Sequence, residues 1–111
     1  MTKIKTVNGV KVLPYDRRHF CGTSLMGYIY ITGNELKKVL GTPNRDRSGD
    51  GKTRVEWRAL LNGKVVTFYD YKEPRAPKMA DVFEWHIGGA SNTVIAIVNQ
   101  LFPDHTARGW R

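Results

Sequence analysis

The sequence is poor in cysteine, in acidic side chains and in long hydrophobic runs. Cys21 is the only cysteine among the 111 residues. This excludes a disulfide between two of these residues and a zinc site built from several cysteines, and we expect a buried, unreactive thiol. No run reaches the roughly 18 apolar residues that a membrane-spanning helix needs. Residues 1–5 do not resemble a secretion signal. These absences predict a cytoplasmic protein without a membrane segment.

The shortage of acidic residues leaves a strongly basic chain. Eighteen Lys and Arg face ten Asp and Glu, so the formal net charge is +8, with a pI near 9.9. This balance favours a polyanionic partner, either nucleic acid, a nucleotide or an acidic protein surface. The alternative is that the charge only aids solubility. The basic residues are spread along the chain, so they do not form a basic tail.

Length and hydrophobic patterning predict one α+β domain over residues 1–111, with its core in about 22–102 and a loose tail at 104–111. Asn8-Gly9 and Asn62-Gly63 have the composition of type I′ hairpin turns. A capping box at Thr32 opens a short helix that ends at Gly41. A second apolar stripe predicts a helix over about 92–102. We expect an antiparallel sheet with two helices packed on one face, plus an N-terminal hairpin.

Alternation within the predicted strands separates core residues from surface residues. In the strand over 25–31, Leu25, Ile29 and Ile31 share one face, and Gly27 suggests a bulge or a close neighbour. Trp57 and Trp85 are expected mainly in the core. The expected partner of Asp70 is Lys72, two residues along the same strand, in a weak ion pair.

Motifs for catalysis and metal binding are weak. The segment 46–53 ends in Gly-Lys-Thr, but it lacks the first glycine and the following helix of a phosphate-binding loop. The same segment begins like a calcium loop, yet Trp57 stands where the bidentate glutamate belongs. The histidines, at positions 19, 86 and 105, have no metal-ligand spacing. A thiol–imidazole pair of Cys21 with His86 stays open. We therefore predict no catalytic residues, metal or cofactor.

The candidate binding residues lie on adjacent predicted strands and in the segment that follows the strand over 82–87. There, Gly88 and Gly89 are predicted to form a turn, after which Ser91 opens the last helix. Free helix amides and the helix dipole would favour an anion at this turn. The alternative is a tight turn with Ser91 as helix cap. Aromatic side chains on adjacent strands could also stack bases while cations hold phosphates. The predicted ligand-binding residues are Arg54, Arg58, Tyr69, Tyr71, Lys72, Trp85, His86, Gly88, Gly89 and Ser91.

Two motifs carry a resemblance to a family. Gly22-Thr23-Ser24-Leu25 and Trp85-His86-Ile87-Gly88-Gly89, together with the Trp57 strand and Tyr69-Asp70-Tyr71-Lys72, resemble a family of small proteins from bacteriophages and large DNA viruses. The similarity covers about residues 22–102. It implies a viral origin and no particular activity.

Charge, aromatic residues and this resemblance together favour a small, non-enzymatic viral accessory protein in the host cytoplasm. Its expected partner is nucleic acid or a nucleotide, for example a nucleotide signal of host defence. An alternative is an inhibitor that docks on a host or viral protein, since Trp, Tyr and Arg are typical hot-spot residues. A small hydrolase is the third hypothesis.

Overall fold

The computed structural model describes residues 5–14, 24–41, 55–70 and 78–109. Within these residues the chain forms seven strands and two helices. The strands are β1 (Lys5–Val7), β2 (Val10–Pro14), β3 (Ser24–Thr32), β4 (Glu56–Leu61), β5 (Lys64–Tyr69), β6 (Val82–Gly89) and β7 (Ala107–Gly109). The helices are α1 (Gly33–Leu40) and α2 (Thr93–Leu101).

All strands join one antiparallel sheet in the order β1-β2-β4-β5-β6-β3-β7. The two predicted hairpins are confirmed, because both residues of each Asn-Gly pair have positive φ angles. These are 51° and 83° at Asn8 and Gly9, and 53° and 81° at Asn62 and Gly63. A type I′ turn requires such angles, and its twist matches that of the strands it joins. The predicted α+β fold with an N-terminal hairpin is therefore present.

Both helices pack on the same face of the sheet, as predicted. Thr32 caps α1 by accepting a hydrogen bond from the Glu35 amide at 3.2 Å. At the other end of α1, Gly41 has a φ of 89°, and its carbonyl accepts from the Trp57 indole at 2.8 Å. Capping and this indole bond fix the short helix over the sheet, where Leu36 is fully buried.

The core between the helices and the sheet is aromatic at its centre. The rings of Trp57 and Trp85 meet edge to face with centroids 5.1 Å apart. The Trp85 indole also donates to the Ile31 carbonyl at 3.0 Å, so its polar atom is satisfied inside the core. Val94 and Val98 of α2 are buried against the same cluster. Both tryptophans are thus core residues.

The C-terminal segment is not the loose tail that we expected. Residues 107–109 form β7, which pairs with β3 at the edge of the sheet. The Asn99 side chain of α2 holds this strand through two bonds. Its Oδ1 accepts from the Ala107 amide at 2.7 Å, and its Nδ2 donates to the Ala107 carbonyl at 3.1 Å. Because polar bonds from Asn99 hold this segment, it needs no alternation of apolar and polar residues. That alternation is the pattern by which a strand is predicted from sequence, so the strand was not expected here.

Gly27 makes the docking of β7 possible. A Cβ atom at this position would lie 2.0 Å from the Arg108 carbonyl oxygen. The pairing of β3 with β6 also shifts between Leu25 and Gly27, which confirms the predicted bulge. The bulge corrects the predicted position of Leu25. The shift places Leu25 opposite Gly88, on the face away from Ile29 and the helices.

Asp70 directly follows β5 and is buried beside the start of β4. Its Oδ1 accepts a hydrogen bond from the Val55 amide at 2.8 Å, and the residue is fully buried. Its expected partner, Lys72, lies outside the described residues, as does Cys21. In the described ranges, neither helix is long and apolar enough to cross a membrane. The same ranges contain no group of three potential metal-ligating side chains.

Candidate ligand-binding face

The face of the sheet opposite the helices carries a row of aromatic side chains. Cross-strand pairing aligns one residue from each of five strands: Glu56 of β4, Tyr69 of β5, His86 of β6, Tyr28 of β3 and Arg108 of β7. Paired residues of antiparallel strands point to the same face. Three rings therefore stand side by side, with an acidic residue at one end of the row and a basic residue at the other.

His86 is the centre of this row. Its ring stacks on Tyr69 with centroids 5.4 Å apart and an interplanar angle of 26°. On its other side it meets Tyr28 edge to face at 5.0 Å and 67°. All three residues are half-buried, so part of each side chain still reaches the surface. The contacts fix the rings while leaving aromatic surface for a ligand.

A glycine and a pocket lie next to the row. Gly88 occupies the next position on this face of β6, between Thr67 of β5 and Leu25 of β3. A Cβ atom there would lie 2.3 Å from the Thr67 hydroxyl oxygen and 3.3 Å from Tyr69 Cε1. Next to Gly88, a pocket of about 440 Å³ is lined by Leu25, Tyr28, Tyr69 and His86. Pockets for small organic ligands usually have volumes of about 300–1,000 Å³.

The charges around the pocket are divided between its two sides. Arg58 lies two residues from Glu56 along β4, and its guanidinium contacts the Glu56 carboxylate at 3.0 Å. On β6, the Glu84 carboxylate accepts a hydrogen bond from the Tyr30 hydroxyl. This bond is the main reason why the pKa of Tyr30 is raised above its ordinary value of 10.0. Arg108, on the opposite side, is exposed. Glu56 and Glu84 thus lie on the side of the pocket formed by β4 and β6, away from Arg108.

The structure brings together some of the predicted binding residues. Tyr69 and His86 meet in the aromatic row, and Gly88 and Arg58 lie on the same face. Trp85 points to the other face and is completely buried, because side chains alternate along β6. Arg54, Tyr71 and Lys72 lie outside the described residues.

The predicted glycine turn is wrong. Gly88 and Gly89 are the last two residues of β6 and pair with strands on both sides, β3 and β5. Both have ordinary negative or extended φ angles. A Cβ atom at Gly89 would come within 3.0 Å of both methyl groups of Val94. Glycine is therefore used here for close packing within the sheet and under α2, rather than for a turn.

The first amides of α2 are also engaged within the chain. The Thr93 amide donates to the Ser91 hydroxyl at 3.2 Å, the Val94 amide to the Ser91 carbonyl at 3.3 Å, and the Ile95 amide to the Asn92 carbonyl at 3.1 Å. Ser91 therefore accepts hydrogen bonds at the start of the helix, as the alternative interpretation expected, although the N-cap residue is Asn92 and the glycines form no turn. These three amides of the expected anion site are thus already hydrogen-bonded, and the pocket beside Gly88 takes its place as the candidate site.

Three residues of the candidate site were missing from the sequence-based set: Leu25, Tyr28 and Arg108. Tyr28 could have been found from its alternation with the core residues of β3, which places it on the outer face. Leu25 needed the bulge, and Arg108 needed the pairing of β7 with β3. Gly27 signals the bulge in the sequence but not the new register of Leu25, and the pairing of β7 with β3 has no signature there.

Comparison with protein families, with curated proteins and with solved structures finds no match to this chain.

Proposed function

We propose that the protein is a non-enzymatic binding protein for a nucleotide unit, either free or within single-stranded nucleic acid. The observation that carries this proposal is the pocket between Tyr28, Tyr69 and His86 on the sheet face away from the helices. A base fits such a pocket because every base offers a flat π surface and aromatic side chains stack on it without selecting a sequence. Its phosphate would lie towards the exposed Arg108.

The charge of the protein supports an anionic ligand over a neutral aromatic one. The net charge of +8 attracts phosphates over distances of about one Debye length, roughly 8 Å at physiological salt. Arg108 provides a local cation at the end of the aromatic row, opposite Tyr28. Together with the resemblance to viral proteins, these features support a viral accessory protein that binds nucleotides in the host cytoplasm, and capture of a defence signal would be one use.

Nucleotide titrations of the protein and of a His86→Ala variant test this proposal. Adenosine monophosphate, thymidine monophosphate and oligodeoxythymidine are suitable probes. Loss of one stacking ring should weaken binding by about 5- to 150-fold, which corresponds to 1–3 kcal/mol. Lys38→Ala is the matched control, because it removes a surface residue from α1 on the opposite side. Unchanged affinity of His86→Ala, or absence of binding by every probe at low salt, would contradict the proposal.

A protein interface is the second candidate. Tyr30 and Val82 are large hydrophobic residues on the same face as the pocket, with 58% and 66% of their surface exposed. Exposed aromatic and apolar side chains beside arginine are typical of protein-binding surfaces. Two results together would support a protein interface. No nucleotide probe would bind, and an acidic protein would bind with an affinity that Tyr30→Ala reduces.

A further inference from the structure

The aromatic surface of β3 continues beyond the pocket. Tyr28 and Tyr30 are two residues apart on one strand, so they share a face and their Cα atoms are about 7 Å apart. Tyr28 forms one wall of the pocket, whereas Tyr30 is 58% exposed. The bond from the Tyr30 hydroxyl to Glu84 ties this side chain to the neighbouring strand β6. Tyr30 is therefore an exposed aromatic side chain that is held in place by Glu84 and does not line the pocket.

Arg108 lies on the other side of these tyrosines. Its Cα is paired with that of Tyr28 across β3 and β7, which places the two side chains next to each other on the same face. Its positive charge also acts on Tyr30, whose pKa it lowers against the larger raising effect of Glu84. Arg108 is thus close to both aromatic surfaces at once.

The backbone that carries Arg108 is fixed from two directions. The preceding residue, Ala107, is bound through both its amide and its carbonyl by the Asn99 side chain of α2. On the sheet side, the missing Cβ of Gly27 lets the Arg108 carbonyl approach closely. A cation on a fixed backbone loses less entropy when it binds a phosphate than one on a mobile tail.

We propose that the ligand has two adjacent nucleotides, with one base in the pocket, the second base on Tyr30 and the linking phosphate at Arg108. The inference rests on the proposed function and specifies its ligand class. The spacing of the two tyrosines is about twice the 3.4 Å rise of stacked nucleotides, so the bases are splayed and each stacks on its own side chain. The Glu84 carboxylate repels phosphates on the β6 side of Tyr30, which directs the sugar-phosphate backbone towards β7.

Comparison of mononucleotides with dinucleotides tests this inference on the intact protein. The probes are adenosine monophosphate and the dinucleotide ApA, with thymidine monophosphate and TpT as pyrimidine counterparts. We expect ApA and TpT to bind more tightly than the monophosphates. Tyr30→Ala should weaken dinucleotide binding by at least about fivefold and leave monophosphate binding unchanged, because one base stack corresponds to about 1–3 kcal/mol. Tyr28→Ala should weaken both classes of probe.

Variants of Arg108, with a charge-matched control, test the proposed phosphate contact. Arg108→Ala should weaken dinucleotide binding and reduce the slope of log affinity against log salt by about one, and Arg108→Lys should restore part of the affinity. Lys38→Ala removes the same charge from α1 and should change neither quantity. Equal effects of Arg108→Ala and Lys38→Ala, or equal effects of Tyr30→Ala on both classes of probe, would overturn the inference.

The outcomes also separate this inference from the proposed function. If monophosphates bind at the pocket and dinucleotides bind no more tightly, the two-nucleotide ligand is wrong and the proposed function stands. If none of the four probes binds at low salt, the proposed function is wrong and the two-nucleotide ligand is wrong with it.

Discussion

Replacing Gly27 by alanine should detach β7 from the sheet. The added Cβ would lie 2.0 Å from the Arg108 carbonyl oxygen, whereas ordinary carbon–oxygen contacts are about 3.3–3.6 Å. The overlap exceeds 1 Å and involves backbone on both strands, so no side-chain rotation relieves it. The second close atom, Cδ1 of Ile95 at 2.7 Å, belongs to a side chain and can move. The strand β7 must therefore shift.

The expected cost follows from what β7 loses. Its three residues pair with Gly27, Tyr28 and Ile29, and each lost hydrogen bond corresponds to about 0.5–1.5 kcal/mol. Regained chain entropy offsets part of this, at about 1–2 kcal/mol per freed residue. The Asn99 clamp limits how many residues are freed. We expect a net loss of about 1–3 kcal/mol in the free energy of unfolding, which is typical of overpacking.

Urea unfolding measures this loss, and amide hydrogen exchange locates it. Exchange should accelerate at residues 107–109 more than in the hairpin of β4 and β5. Gly41→Ala is the control: a Cβ there meets no atom within 4 Å, although its φ of 89° makes alanine strained. It should destabilise the protein without faster exchange in β7. Unchanged stability and exchange in Gly27→Ala would refute the close packing of β7 on β3.

Four further substitutions test the core, the surface and a buried polar contact. Leu36→Ala and Val98→Ala should each lower the free energy of unfolding by about 1–4 kcal/mol in urea, because both residues are fully buried; no change in either would contradict the packing of the helices. Glu84→Ala should lower the pKa of Tyr30 towards 10.0 in an NMR titration. Since the folded pKa is raised, the stability linked to Tyr30 is present below this value and declines as pH rises through the folded pKa. Asp70→Ala should cost about 1–3 kcal/mol, since the buried Val55 amide loses its acceptor.

Local features of the fold could be predicted from the sequence. The two Asn-Gly turns, the Thr32 cap and the Gly41 helix end depend on backbone preferences of a few neighbouring residues. The alternation in β4 separates Trp57 from Arg58 for the same reason. The hypothesis of an exposed aromatic face beside cations also came from alternation, and the structure brings Tyr69 and His86 together on that face.

Features that depend on distant residues could not be predicted. Gly88 and Gly89 have the composition of a turn, but their role is set by Thr67 and Val94, which only the folded chain brings near. Similarly, Arg108 joins the candidate site because Asn99 and Gly27 hold β7 at the sheet edge. The sequence therefore pointed to a binding site at the start of the last helix, whereas the structure places the pocket on the face of the sheet opposite the helices.

Amide NMR titration with adenosine monophosphate and ApA tests the central claim most directly. If the ligand binds in the pocket, the largest shifts should occur at Leu25, Tyr28, Tyr69, His86 and Gly88, and with ApA they should extend to Tyr30 and Arg108. Shifts that are largest in residues 91–95 would instead return the site to the start of α2. Shifts confined to the two helices, or no shifts at low salt, would contradict nucleotide binding on this face.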